Sequence, residues 1–233
     1  KALTEIYIDK RFSKDPEKEI VIEERLYGQE VSVLGFCNGY NIEFMPQAQD
    51  YKRSRDGDKG LNTGGMGSHA PVEIMNEQEL QMLKKALVPL VRRYNYKGVL
   101  YSGIMKTAPG EFYILEFNCR FGDPEAQVIL NLLETDYNDL LTIMSTCQNG
   151  LPMDIRWKSG YAANVVLSHL AYPESKSKQL IKITLDEPLD KNIRMYPSGI
   201  LVKKHSKEMF TYGGRIASIV CYSNTLYDCL YSI

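Results

Sequence analysis

Between Gln49 and Pro71 the chain runs through a stretch dense in Gly, Asp, Lys, Arg and Asn, with almost no apolar periodicity. Neither an amphipathic helix nor a half-buried strand has that pattern, so the stretch reads as one long loop. Loops of this length inside a compact domain are functional or disordered, and the run Gly-Gly-Met-Gly (64–67) with balanced charges favours function. The rest of the chain then has to be the scaffold that holds it.

Upstream, residues 20–26 and 29–37 are β-branched and alternating with Gly28 between them, which predicts two strands and a turn. Asn38-Gly39 marks a two-residue hairpin into a third strand at 40–46. Downstream, Asn76 with Glu79 makes a capping-box start, and Leu80, Leu83, Leu87, Leu90, Val91 and Tyr94 recur at helical spacing. A helix over 76–94 follows. Residues 98–107 and 111–118 flank Pro109-Gly110 as an antiparallel hairpin, and 125–133 and 137–147 read as helices. Composition changes near Asn149-Gly150-Leu151-Pro152, the expected domain boundary. Beyond it, short strands at 161–169, 193–202 and 215–222 and a helix start at Asn224 suggest a small unit. The expected class is α+β: an antiparallel sheet with flanking helices over 1–150, then a mainly β domain over 151–233.

With 233 residues, 44% hydrophobic and 24% charged, the chain has the composition of a globular protein. A net charge of -1 argues against nucleic-acid or membrane partners and leaves small molecules as the expected ligands. No apolar run approaches a membrane span, so a cytoplasmic location is expected. The five cysteines form no C-x-x-C pair and read as buried free thiols. The opening at Lys1, without an initiator Met, reads like the middle of a helix and suggests a fragment.

Alternation along strand 113–118 puts Ile114, Glu116 and Asn118 on one face and Tyr113, Leu115 and Phe117 on the other. Glu116 and Asn118 then offer two hard oxygen ligands about 7 Å apart along the backbone. Magnesium fits such a pair, with manganese as the alternative, because it couples one or two protein groups to substrate phosphates. Taken alone, a Glu-x-Asn pair is far more often a solvated strand face. Arg120 continues the polar face with a fork suited to phosphate or carboxylate, and Asp123 is placed to cap a helix entered through Pro124. In the loop, cations such as Lys52 and Arg53 mix with glycines whose backbone N–H groups could approach an anion. Glu23, Glu24 and Glu30 stand in the first strands, where carboxylates can accept from hydroxyl or amino donors.

Together, Val-Ile-Glu-Glu-Arg-Leu-Tyr-Gly-Gln-Glu-Val-Ser (21–32), Gln-Asp-Tyr-Lys-Arg…Asp-Gly-Asp-Lys-Gly-Leu-Asn-Thr-Gly-Gly-Met-Gly (49–67) and Leu-Glu-Phe-Asn-Cys-Arg-Phe-Gly-Asp-Pro-Glu-Ala-Gln (115–127) resemble the glycinamide ribonucleotide synthetases, ligases of the ATP-grasp class. The first motif is shared widely in that class and the other two are more specific. Tyr-Pro-Glu (172–174) and Gly-Gly-Arg (213–215) also fit the family.

The resemblance implies an ATP-grasp core, with residues 1–23 ending the nucleotide-covering subdomain. It places Glu23, Glu24 and Leu26 in a hinge strand along adenine and Glu30 on the ribose, and gives magnesium to Glu116 and Asn118 against the ATP phosphates. Asp50, Lys52, Arg53, Thr63, Gly64, Gly65, Met66 and Gly67 would shape the glycine and phosphoribosylamine site, with Arg120 and Asp123 as its catalytic residues. In the implied reaction the glycine carboxylate attacks the γ-phosphate, and the amine of phosphoribosylamine displaces the resulting acyl phosphate. Fusion to other purine-pathway domains is compatible with this reading.

The sequence also departs from the family. Tyr51 stands where it usually has His, and Ser198-Gly199-Ile200 where it usually reads Ala-Gly-Thr. The family's amino-terminal domain and its glycine-rich loop with a phosphate-binding Lys lie outside these residues, so this piece is expected to be inactive alone. The competing readings are another ATP-grasp ligase or carboxylase, and a non-catalytic nucleotide-binding module.

Overall fold

The computed structural model describes residues 4–8, 20–137, 139–174, 180–184 and 189–233. Its first half carries β1 (Gln29–Asn38), β2 (Ile42–Phe44), β3 (Gln49–Asp50), β4 (Arg53–Arg55), β5 (Lys59–Asn62) and β6 (Gly67–Ala70). There follow α1 (Glu77–Arg93), β7 (Lys97–Ala108), β8 (Glu111–Asn118), α2 (Glu125–Ile129) and α3 (Leu140–Asn149). The remainder holds β9 (Tyr161–Ser168), β10 (Lys182–Ile183), β11 (Ile193–Pro197), β12 (Ile200–Val202), β13 (Met209–Thr211), β14 (Arg215–Ser223) and α4 (Leu226–Ser232).

An antiparallel sheet of order β2-β1-β7-β8 forms the centre. β1 is buried without a break from Val31 to Asn38, because both of its faces are covered. Val31, Val33 and Cys37 pack with Leu83, Leu87 and Val91 of α1. On the other face Leu34 and Phe36 meet Val128, Ile129 and Leu132. α1 begins with the expected capping box at Asn76 and Glu79. The Glu79 carboxylate, almost wholly buried, also accepts from Lys106 Nζ at 2.9 Å and from the Gly110 amide at 2.8 Å. One side chain thus ties the helix start to the β7–β8 turn.

A second sheet, of order β11-β14-β9-β6-β3, takes two strands from before Gly150 and three from after it. β9 lies between β6 and β14, with Gly67 opposite Val165 and Ser223 opposite Tyr161. The expected boundary near Gly150 therefore falls inside one hydrogen-bonded sheet. Separate small sheets join β4 to β5 and β10 to β13 to β12.

Several local expectations are corrected. Residues 20–26 form no paired strand: the run is extended and exposed, with Val21 84% and Ile22 80% accessible. β-branched alternation stabilises a strand only where a neighbour supplies hydrogen bonds and cover. The 49–71 loop is built from β3, β4, β5 and β6, polar strands whose stability lies in pairing rather than an apolar face. The turn at Asn38-Gly39 spans four residues, because Cys37 pairs with Ile42. The helix expected over 125–133 stops at Ile129 and continues as a 3-10 turn (Leu130–Leu132). The helix expected over 137–147 begins at Leu140, and the strand expected over 193–202 breaks at Ser198-Gly199. Of the amino-terminal subdomain expected over 1–23, residues 1–3 and 9–19 lie outside the described residues, and Thr4–Ile8 is a π-helical turn. Cys119 is exposed while the other four cysteines are buried and free. Among the described residues no helix is long and apolar enough to cross a membrane.

Candidate functional site

The site lies where the open face of the central sheet meets the base of the 50–67 excursion. Register fixes two rows across that sheet. Ser32, Gly103 and Glu116 stand opposite one another, as do Leu34, Tyr101 and Asn118. Because Gly103 has no side chain, a cavity opens between Ser32 and Glu116; a Cβ there would come within 3.2 Å of Glu116 Cγ. A bulge between Gly103 and Ile104 pairs Ile104 with Ile114, leaving Leu115 unpaired. This corrects the simple alternation: Glu116 and Asn118 still share the site face, but Ile114 faces the other way and Leu115 lines the cavity.

Asn118 Nδ2 donates to Glu116 Oε1 at 3.2 Å, so the two side chains converge, and turning the amide over aims its oxygen at the same point. Among the described residues no three His, Cys, Asp or Glu side chains cluster as a metal site. A Glu–Asn pair that needs phosphate and water oxygens to complete a shell is the donor set that magnesium accepts.

A cavity of about 190 Å³ continues from this pair. Its lining includes Arg120 and Asp123 beyond β8, Asp50, Lys52, Thr63 and Gly64 from the excursion, and Glu125 at the start of α2. Arg120 donates from Nη1 to the Phe121 carbonyl at 2.8 Å. Lys52 Nζ lies 2.6 Å from Glu30 Oε2, so Glu30 is engaged by a cation rather than left open. Burial would lower the Lys52 pKa, but the bond to Glu30 and the charges of Glu30, Asp50 and Glu116 raise it instead. Asp50 is pushed up to about 7, first by burial and then by the facing Glu125, against the opposing pull of Lys52 and Arg215.

Asp123 does not cap α2. Pro124 occupies the cap position and makes no side-chain cap bond. The Asp123 carboxylate instead accepts from Arg215 Nη1 and Nη2, at 3.3 and 3.4 Å, and from Gln127 Nε2 at 3.0 Å. Arg215 Nη1 also reaches the Gly64 carbonyl at 2.7 Å and the Asp123 carbonyl at 2.9 Å, fastening the glycine turn to the bend before α2. In the Gly64–Met66 turn the amides expected to approach an anion are turned to protein acceptors. Gly64 N–H donates to Tyr172 Oη, Gly65 N–H to Thr63 Oγ1 and Met66 N–H to the Tyr51 carbonyl. Glycine is needed here for close packing. Gly65, at φ +106°, sits where a Cβ would fall 2.3 Å from Pro124 Cδ and 2.7 Å from Asp50 Oδ1.

Of the remaining expected site residues, Met66 and Gly67 line a different, apolar cavity with Tyr51, Leu226 and Leu230. Arg53 lines a third cavity that it shares with Glu30 and Lys52. Glu23, Glu24 and Leu26 lie on the unpaired 20–28 segment and line none of these cavities. Sequence reasoning assigned no role to Ser32, Tyr101, Glu125, Tyr172 or Arg215. Ser32, Glu125, Tyr172 and Arg215 stood within quoted motifs without a role of their own; Tyr101 becomes visible only through strand register.

Residues 1–126 match the family described as phosphoribosylglycinamide synthetase, ATP-grasp (A) domain. A phosphoribosylamine–glycine ligase of Leptospira interrogans is 40% identical over 226 residues, covering 94% of this chain and 52% of that protein. The trifunctional purine biosynthetic protein adenosine-3 of Chironomus tentans is also 40% identical, over 97% of this chain and 17% of its own length. The crystal structure of the phosphoribosylamine–glycine ligase of Thermotoga maritima superimposes with a TM-score of 0.74 at 33% identity, covering 90% of this chain and 52% of that one. The chain thus spans about half the length of the single-function ligases it matches. With an ATP-grasp sheet, a Glu–Asn pair on its open face and a family match over more than half its residues, the chain belongs to the phosphoribosylglycinamide synthetase family.

Proposed function

We propose that this chain forms the catalytic core of an ATP-dependent ligase joining glycine to 5-phosphoribosylamine in purine biosynthesis, giving glycinamide ribonucleotide, ADP and phosphate through a glycyl phosphate. The observation that carries this is the meeting of Glu116, Asn118 and Arg120 with Asp50, Lys52, Thr63 and Gly64 around one cavity. Glu116 and the Asn118 amide oxygen would hold a magnesium ion, whose charge offsets that of the nucleotide phosphates. Arg120 then orients the carboxylate that becomes phosphorylated and neutralises its charge, while the Arg215–Asp123 contact keeps the glycine turn in place. Catalysis on this scheme is positioning and charge neutralisation, with no covalent enzyme nucleophile. Glu23, Glu24 and Leu26 would pass along the nucleotide base as a hinge, which accounts for their exposure here. The reading implies a cytoplasmic setting, and the match to part of a trifunctional protein accommodates a fused parent as well as a single-function one.

The test is Glu116→Ala in the full-length polypeptide, assayed for ADP release with ATP, glycine and 5-phosphoribosylamine. Turnover should fall by orders of magnitude with the melting temperature unchanged. Near-normal turnover at limiting magnesium would remove the metal assignment.

A further inference from the structure

The two ends of the glycine turn are tied within the 50–67 excursion itself. Thr63 N–H and Oγ1 both donate to the Lys52 carbonyl, at 2.7 and 2.8 Å, and Met66 N–H donates to the Tyr51 carbonyl at 2.8 Å. Gly64, between them, has its partners elsewhere. Its N–H donates to Tyr172 Oη at 2.8 Å and its carbonyl accepts from Arg215 Nη1 at 2.7 Å. Both backbone polar groups of one residue are thus held by side chains 108 and 151 positions away. The fit is close: a Cβ on Gly64 would stand 3.2 Å from Tyr172 Oη and 3.3 Å from Arg215 Cζ.

Arg215 is aimed there by the strand that carries it. The β14–β9 register shifts between Arg215 and Ala217, and such a bulge turns a side chain out of strict alternation. Ile216, the extra residue, offers its carbonyl to the Ser198 and Gly199 amides at 2.9 and 3.0 Å, which fixes the bulge. Tyr172 is set by the same corner. Its ring lies against Gly214, where a Cβ would fall 2.3 Å from Tyr172 Cδ2, and His169 N–H donates to the Gly214 carbonyl at 2.8 Å. From there the Arg215 guanidinium also reaches the carbonyl and the carboxylate of Asp123. Gly64 and Asp123 both line the cavity of about 190 Å³, whereas Arg215 and Tyr172 do not. One planar cation therefore spans two parts of the cavity wall, and its reach sets their separation.

We infer that Arg215 and Tyr172 are positioning residues of the ligase, through which β14 and the bend after β9 set the width of the cavity without touching what it holds. This rests on the ligase reading above and makes the second half of the chain a working part of the site.

The test is steady-state ADP release by the full-length polypeptide with ATP, glycine and 5-phosphoribosylamine. Arg215→Lys keeps the charge but loses the fork, and kcat should fall about 10- to 100-fold with KM for MgATP little changed. Tyr172→Phe, which removes only the acceptor for Gly64 N–H, should lower kcat about 3- to 10-fold in the same pattern. Added methylguanidinium should restore part of the turnover of Arg215→Ala and leave the wild type unchanged. Melting curves identify any variant that fails to fold, and the others then carry the comparison. Wild-type kcat in Arg215→Lys and Tyr172→Phe, or a parallel loss of melting temperature and of affinity for every substrate, would overturn the positioning role and leave the ligase reading standing. Absence of ADP release by the wild type would overturn both.

Discussion

Arg120 reaches the cavity with one guanidinium nitrogen already bonded to the Phe121 carbonyl, which leaves the far edge of a planar fork for a ligand. Lysine cannot reproduce that geometry, so Arg120→Lys should cost about 2–4 kcal/mol in turnover while MgATP affinity stays near normal. A loss of thermal stability with uniform weakening of all ligands would mark a structural arginine instead. Asp50 gives a second residue-level expectation, in the unliganded protein. Its folded pKa of about 7 lies above the unfolded value, so the folded state binds the proton more tightly and Asp50 destabilises the protein once ionised. Asp50→Asn removes that penalty. The gain in stability should be near zero at pH 4, grow to up to about 4 kcal/mol by pH 7 and level off above it. Urea unfolding at several pH values measures this, and a gain independent of pH would assign the effect to packing. Glu116, Asn118 and Arg120 were legible in the sequence because they follow one another along a strand and its exit. Glu125, which lines the same cavity, was not, since nothing local distinguishes a cavity-lining carboxylate from an ordinary first-turn glutamate.

Among the elements, α1 shows what a sequence can specify by itself. Its cap, its apolar spacing and its limits all lie within one continuous segment, and the helix forms as Glu77–Arg93. The further use of Glu79 depends on Lys106 and Gly110, which only the fold brings near. Removing that carboxylate leaves Lys106 and the Gly110 amide without their acceptor, so Glu79→Ala should destabilise by about 3–5 kcal/mol. Chemical denaturation would check this, and a cost below 1 kcal/mol would reduce Glu79 to a helix cap. β8 shows the opposite limit. Period-two reading placed Ile114 beside Glu116, and the Leu115 bulge separates them because register is set by β7 rather than by β8 alone. The 20–26 run failed as a strand for a related reason: alternation records a capacity to pair, and no neighbour is present among the described residues.

At the scale of the whole molecule, the second sheet joins the two halves of the chain. Composition marked a change near Gly150, but composition does not record which strands pair, and β9 inserts between β6 and β14. Residues 1–150 and 151–233 produced as separate polypeptides should therefore each lack a cooperative unfolding transition and regain one when mixed. Independent, sharp melting of 151–233 would show it to be a self-sufficient unit. The same insertion bears on how the protein is made. Gly67 and Val165, partners in the sheet that anchors the glycine turn, are roughly one hundred residues apart, a contact of high sequence separation that is slow to close. During synthesis at about 5–20 residues per second, β6 emerges several seconds before β9 can cover it. For that interval the nascent chain presents an unpaired strand edge, so the glycine turn that shapes the ligand cavity is among the last parts of the fold to be fixed.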